Sequence, residues 1–198
     1  IEVWKTLRCS GLPEIVDILE DEKMIWVVSE YIEGETLAEY MKKGRELSAQ
    51  KAAIWCLHIE HVLTWLHSQE PPVFYGDLKP DNVIVQKDRI VLVDMGSLIR
   101  RGSKGKRTGT LEYRRSVCFR EETEDDYSFG KLTKILAEYC HSRPMKKLAD
   151  QITRPEKKDK KRKWRRIRRK LREIQYQRKV HTGLIFLAIG ILVNAGCM

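Results

Sequence analysis

Several features are scarce in this 198-residue chain, and each scarcity removes a class of protein. There are five cysteines, Cys9, Cys56, Cys118, Cys140 and Cys197, an odd number with no close pair at metal-binding spacing. That pattern excludes a disulfide framework and a zinc ribbon, and it places the main domain in a reducing compartment. Only five histidines occur. His58 and His61 are three residues apart, but no acidic or sulfur-bearing partner completes a metal set, so they read as surface and boundary residues of a helix. No G-x-x-x-x-G-K-[ST] run is present, which removes a Walker phosphate loop. No signal peptide is visible, and the first residue is Ile1 rather than methionine.

What the sequence does have is unevenly placed. The formal net charge is +10, yet residues 154–179 hold 15 Lys or Arg against 3 Asp or Glu. That tract alone carries +12, leaving −2 for the remainder. Basicity therefore belongs to one segment and not to the folded part. Directly after it, residues 183–198 contain no charge. A bilayer core takes about 20 helical residues, so this run is slightly short but far more apolar than a tail in water. The expectation is a juxtamembrane segment and transmembrane helix over 176–198, single-pass. The basic flank holds the preceding domain in the cytoplasm and attracts anionic lipid headgroups through 154–179. A solvated linker or a basic final helix of the folded domain is the other reading of that tract, and nucleic acid is the weaker partner, because its apolar stripe is only Trp164, Ile167, Leu171 and Ile174 and no zinc spacing accompanies it.

Between these features the periodicity is mixed. Val3, Trp4 and Leu7 sit at helical spacing before Gly11-Leu12-Pro13. Met24–Ile32 suits a buried strand. Thr36 caps a short helix carrying Leu37, Tyr40 and Met41. Ser48 opens a longer helix to about His67, with Ala52, Trp55, Ile59, Val62, Leu63 and Leu66 on a broad apolar face. Two β-branched runs, Val83–Val85 and Ile90–Val93, flank Gln86-Lys87-Asp88-Arg89 and read as a hairpin. Residues 100–109 form a basic, glycine-rich loop in which Ser103 and Thr108 are candidate phosphorylation sites. Tyr127–Tyr139 is helical, and Lys147–Ile152 is a further short helix.

The chemistry concentrates around the hairpin. Tyr75-Gly76-Asp77-Leu78-Lys79-Pro80-Asp81-Asn82 precedes it and Asp94-Met95-Gly96 follows it, so a two-strand turn brings Asp77 and Asp94 close. Taken alone, Asp77 and Asn82 are also what a capped polar turn requires. One carboxylate can take a proton from a hydroxyl, while a second carboxylate and an amide oxygen suit a hard divalent cation on nucleotide phosphates. A lysine beside the base can steady a phosphoryl group as charge moves.

These residues resemble the protein kinase family, most closely serine/threonine kinases of bacterial type. The catalytic-loop signature H-R-D-L-K-x-x-N appears as Tyr75–Asn82 and the D-F-G signature as Asp94-Met95-Gly96. Ser29-Glu30-Tyr31-Ile32-Glu33-Gly34 looks like the end of the hinge strand. Gly109-Thr110-Leu111-Glu112-Tyr113 matches the G-T-x-x-Y of the activation segment. Asp125-Asp126-Tyr127-Ser128-Phe129-Gly130 matches the start of the large central helix. The resemblance covers about residues 1–175. It implies an α+β, kinase-like fold, with 1–34 a remnant of the N-terminal lobe and hinge and 35–175 a mainly helical C-terminal lobe. It implies ATP and Mg²⁺ as cofactors and a protein as substrate or partner. Asp77 matches the catalytic base and Lys79 the phosphate-contacting lysine. Asn82 and Asp94 match the metal ligands, and Glu30 and Tyr31 the nucleotide-binding hinge. Leu78-Lys79-Pro80 points to serine or threonine rather than tyrosine as acceptor.

The departures are specific. No Gly-rich loop, strand lysine or partner glutamate precedes Met24. Two readings stand open: a fragment of a longer kinase, or a protein without most of its N-terminal lobe. Gly76 replaces the arginine that pairs with a phosphorylated activation segment. Ser116-Val117 replace the P-E of A-P-E. The alternative to an active kinase is a catalytically inactive, membrane-anchored protein-binding module.

Overall fold

The computed structural model describes residues 7–22, 24–87, 89–102, 121–154 and 161–177. Strand β1, Ile15–Glu20, pairs antiparallel with β2, Ile25–Ser29, as a separate two-stranded sheet. The strand expected at Met24–Ile32 is thus shorter, and its partner β1 went unread, because its apolar positions are interrupted by Asp17 and Glu20. Of the helix read into Val3, Trp4 and Leu7, only Leu7 is described; it is buried and not helical.

The helical core begins with a short strand, β3 (Glu35–Thr36), and helix α1, Leu37–Lys42. Thr36 caps α1 as expected and forms a full capping box. Its hydroxyl accepts from the Glu39 N–H, while the Glu39 carboxylate accepts from the Thr36 N–H. The carboxylate is held below its ordinary pKa by that backbone bond and by the Thr36 hydroxyl. Two orphan donors of the first turn are satisfied this way. Helix α2, Ala49–His67, opens on Ser48 as read from the sequence, and its broad face is fully buried, with Trp55, Ile59, Leu63 and Leu66 inaccessible to solvent. Tyr40 of α1 meets Trp55 edge-on at 5.1 Å between ring centroids.

Strand β4 (Val73–Phe74) leads into the loop 75–82, after which β5 (Val83–Gln86) and β6 (Arg89–Leu92) form the expected hairpin. β3 adds to the outer edge of β5, and β7 (Ile99–Arg100) pairs back onto β4. Helix α3 runs Glu121–Tyr139 and begins six residues before the expected Tyr127. The additional turn is acidic and lacks apolar residues, so periodicity could not detect it, but acidic side chains favour a helix N-terminus. Helix α4, Arg143–Thr153, starts on the Ser142 cap with a proline in its first turn, four residues earlier than expected.

The last helix, α5, occupies 161–177. Its four apolar residues, Trp164, Ile167, Leu171 and Ile174, are all buried in the core, and Trp164 packs 5.5 Å from Phe129 of α3. Three of its cations also turn inward. Lys163 pairs with buried Asp126 at 2.9 Å, Arg168 grips both oxygens of buried Glu60 at 2.8 Å, and Lys170 donates to Gln151 at 2.8 Å. The bond and charge of Glu60 hold the Arg168 guanidinium above its ordinary pKa, against partial desolvation.

These packing contacts correct the membrane expectations. The lipid-facing role of 154–179 rests on its cationic charge and its place before the uncharged run, whereas its helix packs into the protein core through its four apolar residues and three of its cations. No helix among the described residues is long and apolar enough to cross a membrane. The transmembrane helix, single-pass topology and cytoplasmic placement expected from 183–198 are therefore not supported, and that run itself lies outside the described residues. So do the G-T-x-x-Y match, Ser103, Thr108, Ser116 and Val117.

Candidate active site

The hairpin register builds the site. Val83 stands opposite Leu92, and the N–H of Val93 donates to the Asn82 carbonyl at 2.9 Å. Asn82 and Asp94 therefore emerge at the same end of two paired strands. A single 3-10 turn, Pro80–Asn82, returns the chain from the loop to β5, with proline preset for that turn.

Three of the expected residues converge directly. The Asp77 carboxylate Oδ2 accepts from Lys79 Nζ at 2.8 Å and from Asn82 Nδ2 at 3.0 Å. The same Asn82 nitrogen reaches the Asp77 carbonyl at 2.9 Å. Asp77 and Asn82 are buried, whereas Lys79 stays partly open to solvent. The hydrogen bond to Asp77 raises the Lys79 pKa; slight burial opposes it, and the charges of Asp77, Asp81 and Asp94 reinforce it. The ammonium is thus firmly charged beside the carboxylate.

Asp94 is exposed and sits in the left-handed region, at φ 58° and ψ 64°, capping a second 3-10 turn, Met95–Ser97. Such a backbone costs a non-glycine residue about 1–2 kcal/mol, and strain of this kind clusters where a side chain must be aimed. A Cβ at Gly96 would stand 3.3 Å from Asp94 Oδ1, so the glycine keeps the surroundings of the carboxylate clear. Among the described residues no three His, Cys, Asp or Glu side chains gather as a metal centre. Asn82 and Asp94 nonetheless fit a magnesium ion. The Asn82 nitrogen is committed to Asp77, which leaves its amide oxygen as the end able to meet a cation. Mg²⁺ characteristically takes one or two protein oxygens and completes its shell with phosphates and water.

The framework behind the loop was not read from the sequence. Asp125, on the first turns of α3, is almost wholly buried and reaches back to hold the loop backbone. Its Oδ1 accepts from the Gly76 N–H and its Oδ2 from the Tyr75 N–H, both at 2.9 Å, and Oδ2 also meets His67 Nε2 at 2.7 Å. Burial pushes the Asp125 carboxyl up, but the His67 bond and charge with the two N–H groups outweigh it, and the net displacement is downward. The D-x-Y-S-x-G match contained Asp125, yet nothing local says that it bridges 50 residues.

Tyr75, where the family has histidine, also ties the two halves of the site. Its phenol donates to the Val93 carbonyl, and its own carbonyl accepts from Ser97 Oγ at 3.0 Å. Complete burial, reinforced by Asp94, Asp77 and Asp125, holds the phenol well above its ordinary pKa, so it acts as a neutral donor. Gly76 lies at φ 82°, and a Cβ there would come within 2.7 Å of the Ser97 carbonyl oxygen. Any side chain at this position requires Ser97 to shift. Gly76→Ala is expected to lower the unfolding free energy by at least about 1–2 kcal/mol from the backbone conformation alone, measured by urea denaturation.

The hinge residues are not drawn into this cluster. The Glu30 carboxylate accepts from the Glu14 N–H at 3.1 Å, closing the end of the β1–β2 sheet, and Tyr31 is 89% exposed.

The loop thus holds buried Asp77 and Asn82 with a partly exposed Lys79, beside a strand-end aspartate and hung from a carboxylate on α3. The protein kinase domain family matches residues 1–127, and the chain belongs to that family. Among similar proteins, the serine/threonine-protein kinase WNK of Caenorhabditis elegans is 30% identical over 141 residues, covering 67% of this chain and 8% of that protein. The serine/threonine-protein kinase pkpA of Phycomyces blakesleeanus is 30% identical over 138 residues, 66% of this chain and 22% of its own length. The serine/threonine-protein kinase WNK8 of Arabidopsis thaliana is 31% identical over 132 residues, 62% of this chain and 23% of its own. The chain thus spans less than a quarter of the length of these three relatives.

Proposed function

We propose that the protein transfers the γ-phosphoryl group of ATP to a serine or threonine hydroxyl of a protein. The observation that carries this reading is the Asp77 carboxylate held by Lys79 and Asn82 at 2.8 and 3.0 Å. Two donors fix its orientation, so it can align the acceptor hydroxyl and take its proton as the oxygen attacks. Lys79, charged and partly exposed, would follow negative charge from the base toward the transferred phosphoryl group. Asn82 and Asp94 would hold magnesium, which when bound neutralises charge on the nucleotide phosphates. Glu30 and Tyr31 would line the nucleotide's entry from the hinge side. The serine or threonine preference rests on Leu78-Lys79-Pro80 and on the names of the similar proteins.

A second reading, a catalytically silent protein-binding domain, is favoured by one observation. On the β1–β2 sheet Leu19, Trp26 and Val28 are 53%, 43% and 40% exposed. The register places Leu19 directly opposite Trp26 on the face that also carries Val28, and an exposed apolar patch of this kind suits a partner.

The two readings separate on incubation of the full chain with Mg²⁺, γ-labelled ATP and casein. Label on serine or threonine that disappears with EDTA is expected. No incorporation at any magnesium or manganese concentration, from a chain that melts cooperatively, supports the silent domain instead.

A further inference from the structure

Helix α5 contains nine Lys or Arg and one acid, Glu173, between 161 and 177. Packing turns some of them inward and leaves others, Arg162 and Arg166 among them, exposed. Lys163, Arg168 and Lys170 are spent on Asp126, Glu60 and Gln151. Lys161, Arg165, Arg169 and Arg172 are exposed and recur at offsets of four, four and three residues, which puts them on one face. At a rise of about 1.5 Å per residue this stripe runs for roughly 16 Å. Among the described residues, Arg169 of the stripe meets Glu173, itself exposed, at 3.5 Å.

Cations four residues apart on a helix repel, by about 0.2–0.5 kcal/mol per pair. The outward stripe therefore costs the fold stability and contributes nothing to packing. A local arrangement that opposes stability without a structural return is where function is expected.

We infer that the outward face of α5 docks an acidic segment of a partner protein. Insertion into a lipid surface needs an apolar face beside the basic one, and the apolar face of α5 is consumed by the core. Single-stranded nucleic acid needs aromatic platforms between the cations, and the exposed aromatic of the helix is Tyr176 alone, beyond the end of the stripe. Three of the four stripe residues are arginine, whose planar fork suits paired carboxylate oxygens. The same helix displays that chemistry internally in the two-pronged Arg168–Glu60 contact. The surface does not depend on phosphoryl transfer.

The test uses the full chain and a fluorescein-labelled peptide of twelve glutamates, read by anisotropy at 150 mM salt. The triple variant Arg165→Glu, Arg169→Glu, Arg172→Glu is expected to weaken binding at least tenfold. A control with the same charge change elsewhere, Lys42→Glu, Arg143→Glu, Lys147→Glu, is expected to change it less than twofold. If the glutamate triple fails to fold, the Arg→Gln triple replaces it, with the same direction and a smaller loss. Equal weakening in stripe and control variants, or no weakening in the stripe variant, overturns the inference. So does tighter stripe-dependent binding of labelled DNA or of phosphatidylserine vesicles, which would assign the face to another class of partner.

Discussion

Asp125→Ala is expected to lower the unfolding free energy by about 3–5 kcal/mol, the range for removing one partner of a buried charged network. The carboxylate is 1% exposed and serves three donors: the N–H groups of Tyr75 and Gly76 and the ring of His67. Alanine leaves those donors buried and unpaired. Because two of them are backbone groups of the loop that carries Asp77, transfer activity is expected to fall with stability. Asp125→Asn keeps an acceptor oxygen and should lose less. A pH dependence follows from the lowered carboxyl. A group whose folded pKa is depressed stabilises the fold above its unfolded pKa, about 3.9 for aspartate, and that stabilisation is lost as pH falls through the folded value. Urea unfolding between pH 7 and pH 3 should therefore show an acid limb that is shallower in Asp125→Asn than in the wild-type chain. An acid limb of the same steepness in both would mean that Asp125 is not held as a carboxylate.

Asp77→Ala should act in the opposite manner, on rate and not on fold. The Lys79 ammonium it releases is partly exposed and can be hydrated, and the Asn82 N–H keeps its 2.9 Å bond to the residue 77 carbonyl. The loop therefore retains an anchor. Loss of a positioned general base typically costs 10²–10⁴-fold, so kcat is expected to fall by about that factor while the KM for ATP changes little. Steady-state kinetics paired with a thermal melt distinguishes this from unfolding. A variant with unchanged kcat would remove Asp77 from the proposed chemistry.

Which parts of this molecule can be read from sequence depends on how local their causes are. The β5–β6 hairpin, the Thr36 and Ser48 caps and the bonds among Asp77, Lys79 and Asn82 all rest on neighbours within a few residues. Asp125 is different. Its role is set by two backbone N–H groups some fifty residues away, and a sequence shows only an acid at a helix start. β1 was missed because Asp17 and Glu20 interrupt its apolar pattern on a sheet that is mostly open to solvent. Helix α5 shows the reverse error. A cationic tract before an uncharged run is compatible with a membrane flank or with a helix that closes a protein core, and its composition is the same in both. Only the partners decide, and they stand on two other helices, Glu60 on α2 and Asp126 and Phe129 on α3.

Glu30 and Tyr31 mark the boundary of what motif matching supplies. Their positions follow the hinge pattern, yet the carboxylate of Glu30 closes a strand end and Tyr31 projects into solvent. A nucleotide role for them is a proposal about a bound state, whereas the Asp77 cluster is already assembled.

The most direct measurement of the central claim is a rapid-quench single turnover with saturating Mg²⁺ and γ-labelled ATP, comparing the wild-type chain with Asp94→Ala. Asp94 is exposed, and alanine must take the same left-handed backbone, which aspartate tolerates better, so its replacement should lower the melting temperature only slightly. The expected result is labelled protein from the wild-type chain and a loss of at least a hundredfold in Asp94→Ala. Equal transfer by both chains, with equal melting temperatures, would contradict the assignment of this loop and strand end to phosphoryl transfer.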